Sequence, residues 1–285
     1  MPPDFLVIGH VVQDIVPGGW RLGGTASFAS LLAVGWGMRV ALLTTGNPGL
    51  DLAALLPGVE ITCAATGQLT RFENIYSGAQ RRQYVRSQGP ILTADMLPLH
   101  WRETPVVLLG PVIGEVDTSL AQCFPAALLG VSAQGWLREV GPDGQVRPLP
   151  PRLEGTLRNA SVLFVSDEDL PAEKTRETVN AWGGLVPTLC FTHGQRGAEV
   201  CHQGEWRHID AFPAEVQDPT GAGDVFATAF LVRFHEGNDV WEATRFAACA
   251  ASFVVEGEGI SGLPSHSQIV ARLADHPEII PRPLL

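Results

Sequence analysis

The chain has 285 residues, 45% of them hydrophobic and 17% charged, which supplies a sizeable core and excludes wholesale disorder. Thirty acidic residues against 19 basic ones leave a formal charge of −11, a balance that argues against nucleic acid or an anionic membrane surface as a partner. The only lysine is Lys174, in the charged stretch AEKTRE, so the lysines required by a Walker A loop, a protein-kinase strand and a pyridoxal site are missing.

The elements follow in chain order. An apolar run at 5–9 predicts a strand, helical spacing at 25–34 a helix, and a second apolar run at 40–46 another strand. Residues 68–87 are polar, aromatic and β-branched around a Ser77-Gly78 turn, and predict a hairpin projecting from the main body. Further apolar runs at 105–110 and 128–134 read as strands, and the Pro-rich stretch 148–151 reads as a surface turn. Strands are predicted again at 161–166 and 186–192, with a helix at 172–182 between them. A hairpin at 198–209 turns at Gln203-Gly204, and helices at 224–235 and 240–255 follow. Runs that are apolar nearly throughout are those of parallel strands buried on both faces. Their alternation with helices predicts one α/β layered domain over 1–285, with helices on both sides of the sheet and a small lid.

The five cysteines form no CxxC pair, the segment MPPDFLVIGH lacks a signal-type pattern, and no window approaches 18 uninterrupted apolar residues. A soluble protein of a reducing, cytoplasmic compartment is expected.

The strongest local signal is DPTGAGDVFATAFL, residues 218–231. Gly221, Ala222 and Gly223 run into Asp224, and apolar residues then recur at helical spacing. A helix start offers unpartnered N–H groups and the positive end of the peptide dipoles, and glycines let an anion approach them closely. A carboxylate beside an anion site makes sense if it takes the proton of a hydroxyl that attacks phosphorus. The plainer alternative is that Asp224 caps the helix and Asp218 starts a turn with Pro219.

Taken with VIGHVVQDI (7–15), LGGTASFAS (22–30), FTHGQRGAEV (191–200) and ATRFAACAASFVVEGEGI (243–260), DPTGAGD resembles the ribokinase, or PfkB, family of carbohydrate kinases. The resemblance implies a three-layer α/β/α fold with a mostly parallel sheet and a β lid built from segments around 10–24 and 68–87. It implies an ATP-dependent kinase that transfers the γ-phosphate to a hydroxyl of a small sugar or polyol. Asp224 would be the base, and the amides of Gly221, Ala222 and Gly223 would stabilise the migrating group. Asp14, Gly23 and Gly24 would hold the substrate. Thr192, Gly194, Gly197, Ala248 and Gly259 would border the nucleotide. Mg²⁺ is implied as well, ordered through water by Asp169 or by its neighbours Asp167 and Glu168, the alternative being that all three form a charge cluster at a helix N-terminus; many relatives also use a monovalent cation such as K⁺. The combination GGTASFAS with TRFENIY is closer to the inositol-kinase-like branch, which favours a cyclitol such as myo-inositol. A nucleoside kinase and a catalytically silent nucleotide-binding relative are the alternatives, and a homodimer through the lid stands beside a monomer.

The chain departs from the family pattern in places. Ser166-Asp167-Glu168-Asp169 stands where many members have Asn-x-x-Glu, and the Gly-Gly loop lacks an Asn, with Thr25 and Ser27 nearby instead. Eight residues separate Asp14 from Gly23, so the 68–87 hairpin is expected to supply most of the cover. One of its arginines (Arg71, Arg81, Arg82, Arg86) would close over the phosphate; the alternative is an edge strand kept soluble by charge. Two patterns mislead. Gly257-x-Gly259-x-x-Gly262 matches GxGxxG but follows a helical stretch, and the spacing of Cys190, His193, Cys201, His202 and His208 fits no common zinc site.

Overall fold

Strand β1 (Phe5–Ile8) sends Phe5 and Val7 into one core and Leu6 and Ile8 into another, and all four are fully buried. That two-sided burial is why the run is apolar at every position. The computed structural model describes every residue except 48, 66, 78, 79, 151, 174 and 285. Lys174, the Gly78 half of the expected lid turn and the last proline of the 148–151 stretch therefore lie outside the described residues.

After β1 come a hairpin, β2 (Val12–Val16) and β3 (Gly19–Gly23), and helix α1 (Thr25–Gly35). β4 (Val40–Gly46), the single turn α2 (Leu52–Leu55) and β5 (Val59–Ala65) follow, then a second hairpin, β6 (Thr70–Ser77) and β7 (Gln80–Ser87). β8 (Val106–Leu109) and β9 (Leu128–Ser132) precede a small hairpin, β10 (Arg138–Val140) and β11 (Val146–Pro148), and the turn α3 (Glu154–Leu157). Next come β12 (Val162–Ser166), α4 (Thr175–Gly183), β13 (Thr188–Thr192), β14 (Ala198–His202) and β15 (Glu205–Ile209). Helices α5 (Ala222–Gly237), α6 (Val240–Val254) and α7 (His266–Asp275) and the short β16 (Arg282–Pro283) complete the chain.

The central sheet has ten strands in the order β16-β15-β14-β13-β12-β9-β8-β1-β4-β5. It is parallel from β13 to β5 and antiparallel beyond β13. Residues of α1, α5 and α6 join the core on one face, while Val179 and Trp182 of α4 join the core on the other with Trp101 and Phe124. The layers are those of the ribokinase-like α/β/α fold. β1 has β4 on one side and β8 on the other, so chain order reverses there. A crevice opens at the carboxyl ends of the strands at such a switch point.

The lid is a separate four-stranded sheet in the order β3-β2-β6-β7. Its two hairpins join through parallel pairing of β2 with β6. Val12 and Phe72 on one lid face pack on Val112 and Ile113. Residues 68–87 supply its two eight-residue strands, and 12–23 adds two strands of five residues each. A tight turn at Gly18, with φ at 86°, makes the short connection sufficient. The 138–148 hairpin was not expected, and it extends the lid: Val85 N donates to Gly144 O at 2.8 Å.

Candidate active site

Helix α5 begins at Ala222, with Gly221 as its N-cap in the left-handed region at φ 85°. A side chain at 221 would run into the Phe28 ring, whereas one at Gly223 would meet nothing within 4 Å. The turn is thus shape-matched to α1 on one side and open on the other. Asp224 is the third helical residue and does not cap the helix, which has no side-chain cap. The capping alternative fails for that reason. Instead, Asp224 Oδ1 accepts a hydrogen bond from Thr25 Oγ1 at 2.6 Å.

Thr25 is the first residue of α1, after Gly24 at φ 83°. Its methyl group occupies the space that a side chain at Gly110, just beyond β8, would need. Two helix N-termini therefore meet at the carboxyl edge of the sheet, each with its first amides lacking intrahelical partners. Both place positive dipole ends at one spot, where negative charge is stabilised.

β1 ends at Ile8, and Asp14 lies mid-way along β2, opposite Arg21 of β3. Its Oδ2 occupies the place that a Cβ on Gly23 would take. Gly23 thus clears room for the Asp14 carboxylate itself. Gly24 is confined by its neighbours: a Cβ there would lie 2.8 Å from His10 O and from Val12 Cγ2.

The three acids of 167–169 separate clearly. Asp169 is buried and closes a capping box, its Oδ2 accepting from Ser166 N at 3.0 Å. Its Oδ1 accepts from Gln134 Nε2 at 3.2 Å and from Arg138 Nη2 at 3.3 Å. Asp167 turns to the end of β13, pairing with Arg196 and with His193 Nδ1 at 3.2 Å. Glu168 is exposed.

Asp224 is half-buried, and loss of hydration pushes its pKa from 3.8 up to about 6. The Thr25 hydroxyl opposes that rise, the Asp169 and Asp14 carboxylates add to it, and the Arg138 guanidinium counters it. On the far side of the turn, Asp218 Oδ1 accepts from Thr220 N at 2.9 Å and Oδ2 from Gly259 N at 3.4 Å. Arg21 reaches across from the lid to Glu258 at 2.9 Å and to Asp218 at 3.8 Å.

Of the residues expected to border a nucleotide, Thr192 ends β13, and Gly194 and Gly259 have positive φ with open space beside them. Gly197 is closed in, since a side chain there would overlap Ile209 O. Ala248 is buried in the core. Two lid arginines are engaged by other lid residues: Arg71 Nε donates to Gln13 Oε1 at 2.7 Å and Arg86 Nε to Glu73 Oε2 at 2.6 Å. Arg82 is exposed, and the Arg81 side chain lies outside the described residues. Gln13 and Arg71 line a cleft of about 470 Å³ with Trp20 and Asn47; strand alternation puts Gln13 on the lid face opposite Asp14. The cation that bears on Asp224 is Arg138, which sequence reasoning missed, as it missed Gln134 and Gln83. Arg138 opens a three-residue strand that carries no periodic or motif-like signal.

The pfkB family carbohydrate kinase model matches residues 143–266, a stretch that contains the Gly221–Asp224 turn, α5 and α6. The chain is 32% identical over 124 residues to a ribokinase of Bacillus subtilis, a match covering 43% of the chain and 42% of the ribokinase. The match thus spans less than half of that relative. A cytidine kinase of Thermococcus kodakarensis is 26% identical over 278 residues, 90% of the chain and 97% of the relative. In fold, the chain is similar to a pyrophosphate-dependent kinase of the ribokinase family, solved with a pyrophosphate analog and myo-inositol. The TM-score is 0.77 at 23% identity, covering 94% of this chain and 99% of that one.

Proposed function

We propose that the protein transfers the terminal phosphoryl group of ATP to a hydroxyl of a small sugar or polyol. The observation that carries this reading is the Asp224 carboxylate, held by Thr25 at 2.6 Å where two helix N-termini meet. An acceptor hydroxyl beside Asp224 gives up its proton to that carboxylate as its oxygen bonds to phosphorus. The bond from phosphorus to the donor's bridging oxygen breaks, and ADP leaves. The amides of Gly221, Ala222 and Gly223 stabilise charge on the migrating group in this reading. A base with a pKa of about 6 is ionised at neutral pH yet basic enough to accept the proton.

Asp14 would orient the acceptor by accepting from adjacent hydroxyls, with Gly23 giving its carboxylate room. Thr192, Gly194 and Gly259 would flank the donor. Asp169 fits a hydrated Mg²⁺ through water only: Oδ1 already accepts two hydrogen bonds, while Oδ2 accepts one and keeps a lone pair for a water. That ion, when bound, would neutralise charge on the donor phosphates.

Two features bear on specificity. The GGTASFAS and TRFENIY segments favour a cyclitol, and a relative of the same fold holds myo-inositol. The long match to a cytidine kinase supports a nucleoside as the second reading. Because the relative bound to myo-inositol is pyrophosphate-dependent, the donor is tested alongside the acceptor. Myo-inositol, ribose, fructose, cytidine and adenosine are each assayed with ATP and with pyrophosphate, following the phosphorylated acceptor. The expected result is ATP-driven phosphorylation of myo-inositol or a sugar. Transfer from pyrophosphate alone would replace the donor, preference for cytidine would replace the acceptor, and no transfer at all would defeat the kinase reading.

A further inference from the structure

We propose that Arg138 is a positioning residue that ties the lid to the acidic centre, so that one guanidinium sets the acceptor cover and the reacting carboxylates together. This rests on the kinase reading above and adds to it a residue outside the family's recognisable motifs.

The geometry is a fork. Arg138 Nη1 donates to Gln83 Oε1 on β7 at 3.3 Å, and Nη2 donates to Asp169 Oδ1 beyond β12, also at 3.3 Å. A planar guanidinium holds two acceptors in fixed relative positions, which an ammonium cannot do. Its surroundings are restrictive: the Arg138 side chain is 20% exposed and that of Asp169 3%. The strand beneath is anchored as well. Leu137 is buried, Trp136 Nε1 donates to Val116 O at 2.7 Å, and Leu149 N donates to Leu137 O at 2.8 Å. The hairpin itself is bonded to the lid through Val85 N and Gly144 O and through the bridge between Tyr84 and Gln145.

The charges facing Asp224 give the fork its second role. Thr25 of α1 is neutral, whereas Asp14 of β2 and Asp169 beyond β12 are acidic. Arg138 of β10 is the positive group among those acting on Asp224. Displacing the lid would therefore also move the cation that pairs with Asp169 and acts on Asp224.

The test compares wild type with R138A, R138K and Q83A. R138A is expected to raise the acceptor KM by about tenfold or more and to move the acid limb of the kcat profile upward by roughly half to one pH unit. R138K keeps the charge but loses the fork, so its acid limb should return toward wild type while its acceptor KM stays high. Q83A should raise the acceptor KM and leave the limb in place. An unmoved limb in R138A, or a limb in R138K displaced as far as in R138A, overturns the proposal. Amide exchange across 70–87 is read in the same variants without substrate, and should be faster in R138A than in wild type. Equal exchange overturns the link to the lid. An inactive wild type with faster exchange in R138A would defeat the kinase reading and leave the structural link standing.

Discussion

The hydroxyl of Thr25 donates to the carboxylate of Asp224 across 2.6 Å, joining the first residue of one helix to the third of another, 199 positions away. The bond has a geometric and an electrostatic effect. It fixes the rotamer of the carboxylate at the Gly221–Asp224 turn, and it favours the ionised form against the burial that drives the pKa up to about 6.

If Asp224 is the base, kcat/KM should fall as pH drops through about 6, because only the ionised carboxylate takes a proton. Thr25→Val removes the hydroxyl that opposes the upward shift. Its acid limb should therefore lie at higher pH than that of wild type, with turnover at neutral pH reduced. Rate profiles between about pH 5 and 9 measure both effects.

Asp224→Asn should lower kcat by on the order of 10²–10⁴ while ATP binding is largely kept. It should also stabilise the fold at alkaline pH. A carboxyl whose folded pKa is raised from 3.8 to about 6 carries no penalty below the lower value. The penalty grows between the two values and is complete above the higher one. Discounted for the open side of the residue, the gain at pH 8 is about 1–2 kcal/mol, vanishing near pH 4. Melting curves at the two pH values test this, and equal shifts at both would contradict the assignment.

Gly23→Ala would place a methyl group where Asp14 Oδ2 now sits. The carboxylate must rotate away, so the acceptor KM should rise by about tenfold while the donor KM changes little. A cost of about 1–3 kcal/mol in a urea titration should accompany it. An unchanged acceptor KM would remove Asp14 from acceptor binding.

Gly221→Ala meets two obstacles, a φ of 85° and the Phe28 ring. A loss of about 2–4 kcal/mol is expected. Phe28→Ala combined with Gly221→Ala should cost less than the sum of the single changes, because the ring that clashes is gone while the strained φ remains.

The parallel strands and the Gly221–Asp224 turn were legible in the sequence for local reasons. A strand covered on both faces is apolar throughout, as β1 and β8 are, or nearly so, as β12 and the first four residues of β4 are. The Gly-Ala-Gly-Asp turn states its own backbone requirement. By contrast, β5 lies at the sheet edge with Glu60 and Cys63 exposed, so its pattern is mixed. β2 and β3 are polar because they form a lid over a crevice. The hairpin of β10 and β11 has three residues in each strand, too few for any periodicity. Arg138 was invisible for a further reason: what brings it to Asp169 and Gln83 is packing between segments 31 and 55 positions away. Asp169, one of three neighbouring acids, was singled out by a capping bond that composition does not reveal.

The patchwork origin of the lid bears on biosynthesis. Its sheet draws on residues 12–23 and 70–87, and the hairpin bonded to its edge on 138–148. Contacts this distant along the polypeptide form late. A nascent chain halted before about residue 150 would have to leave that edge of the cover unfinished. Truncation series and circular permutants cut between these stretches should therefore lose the lid before they lose the α/β/α layers beneath it.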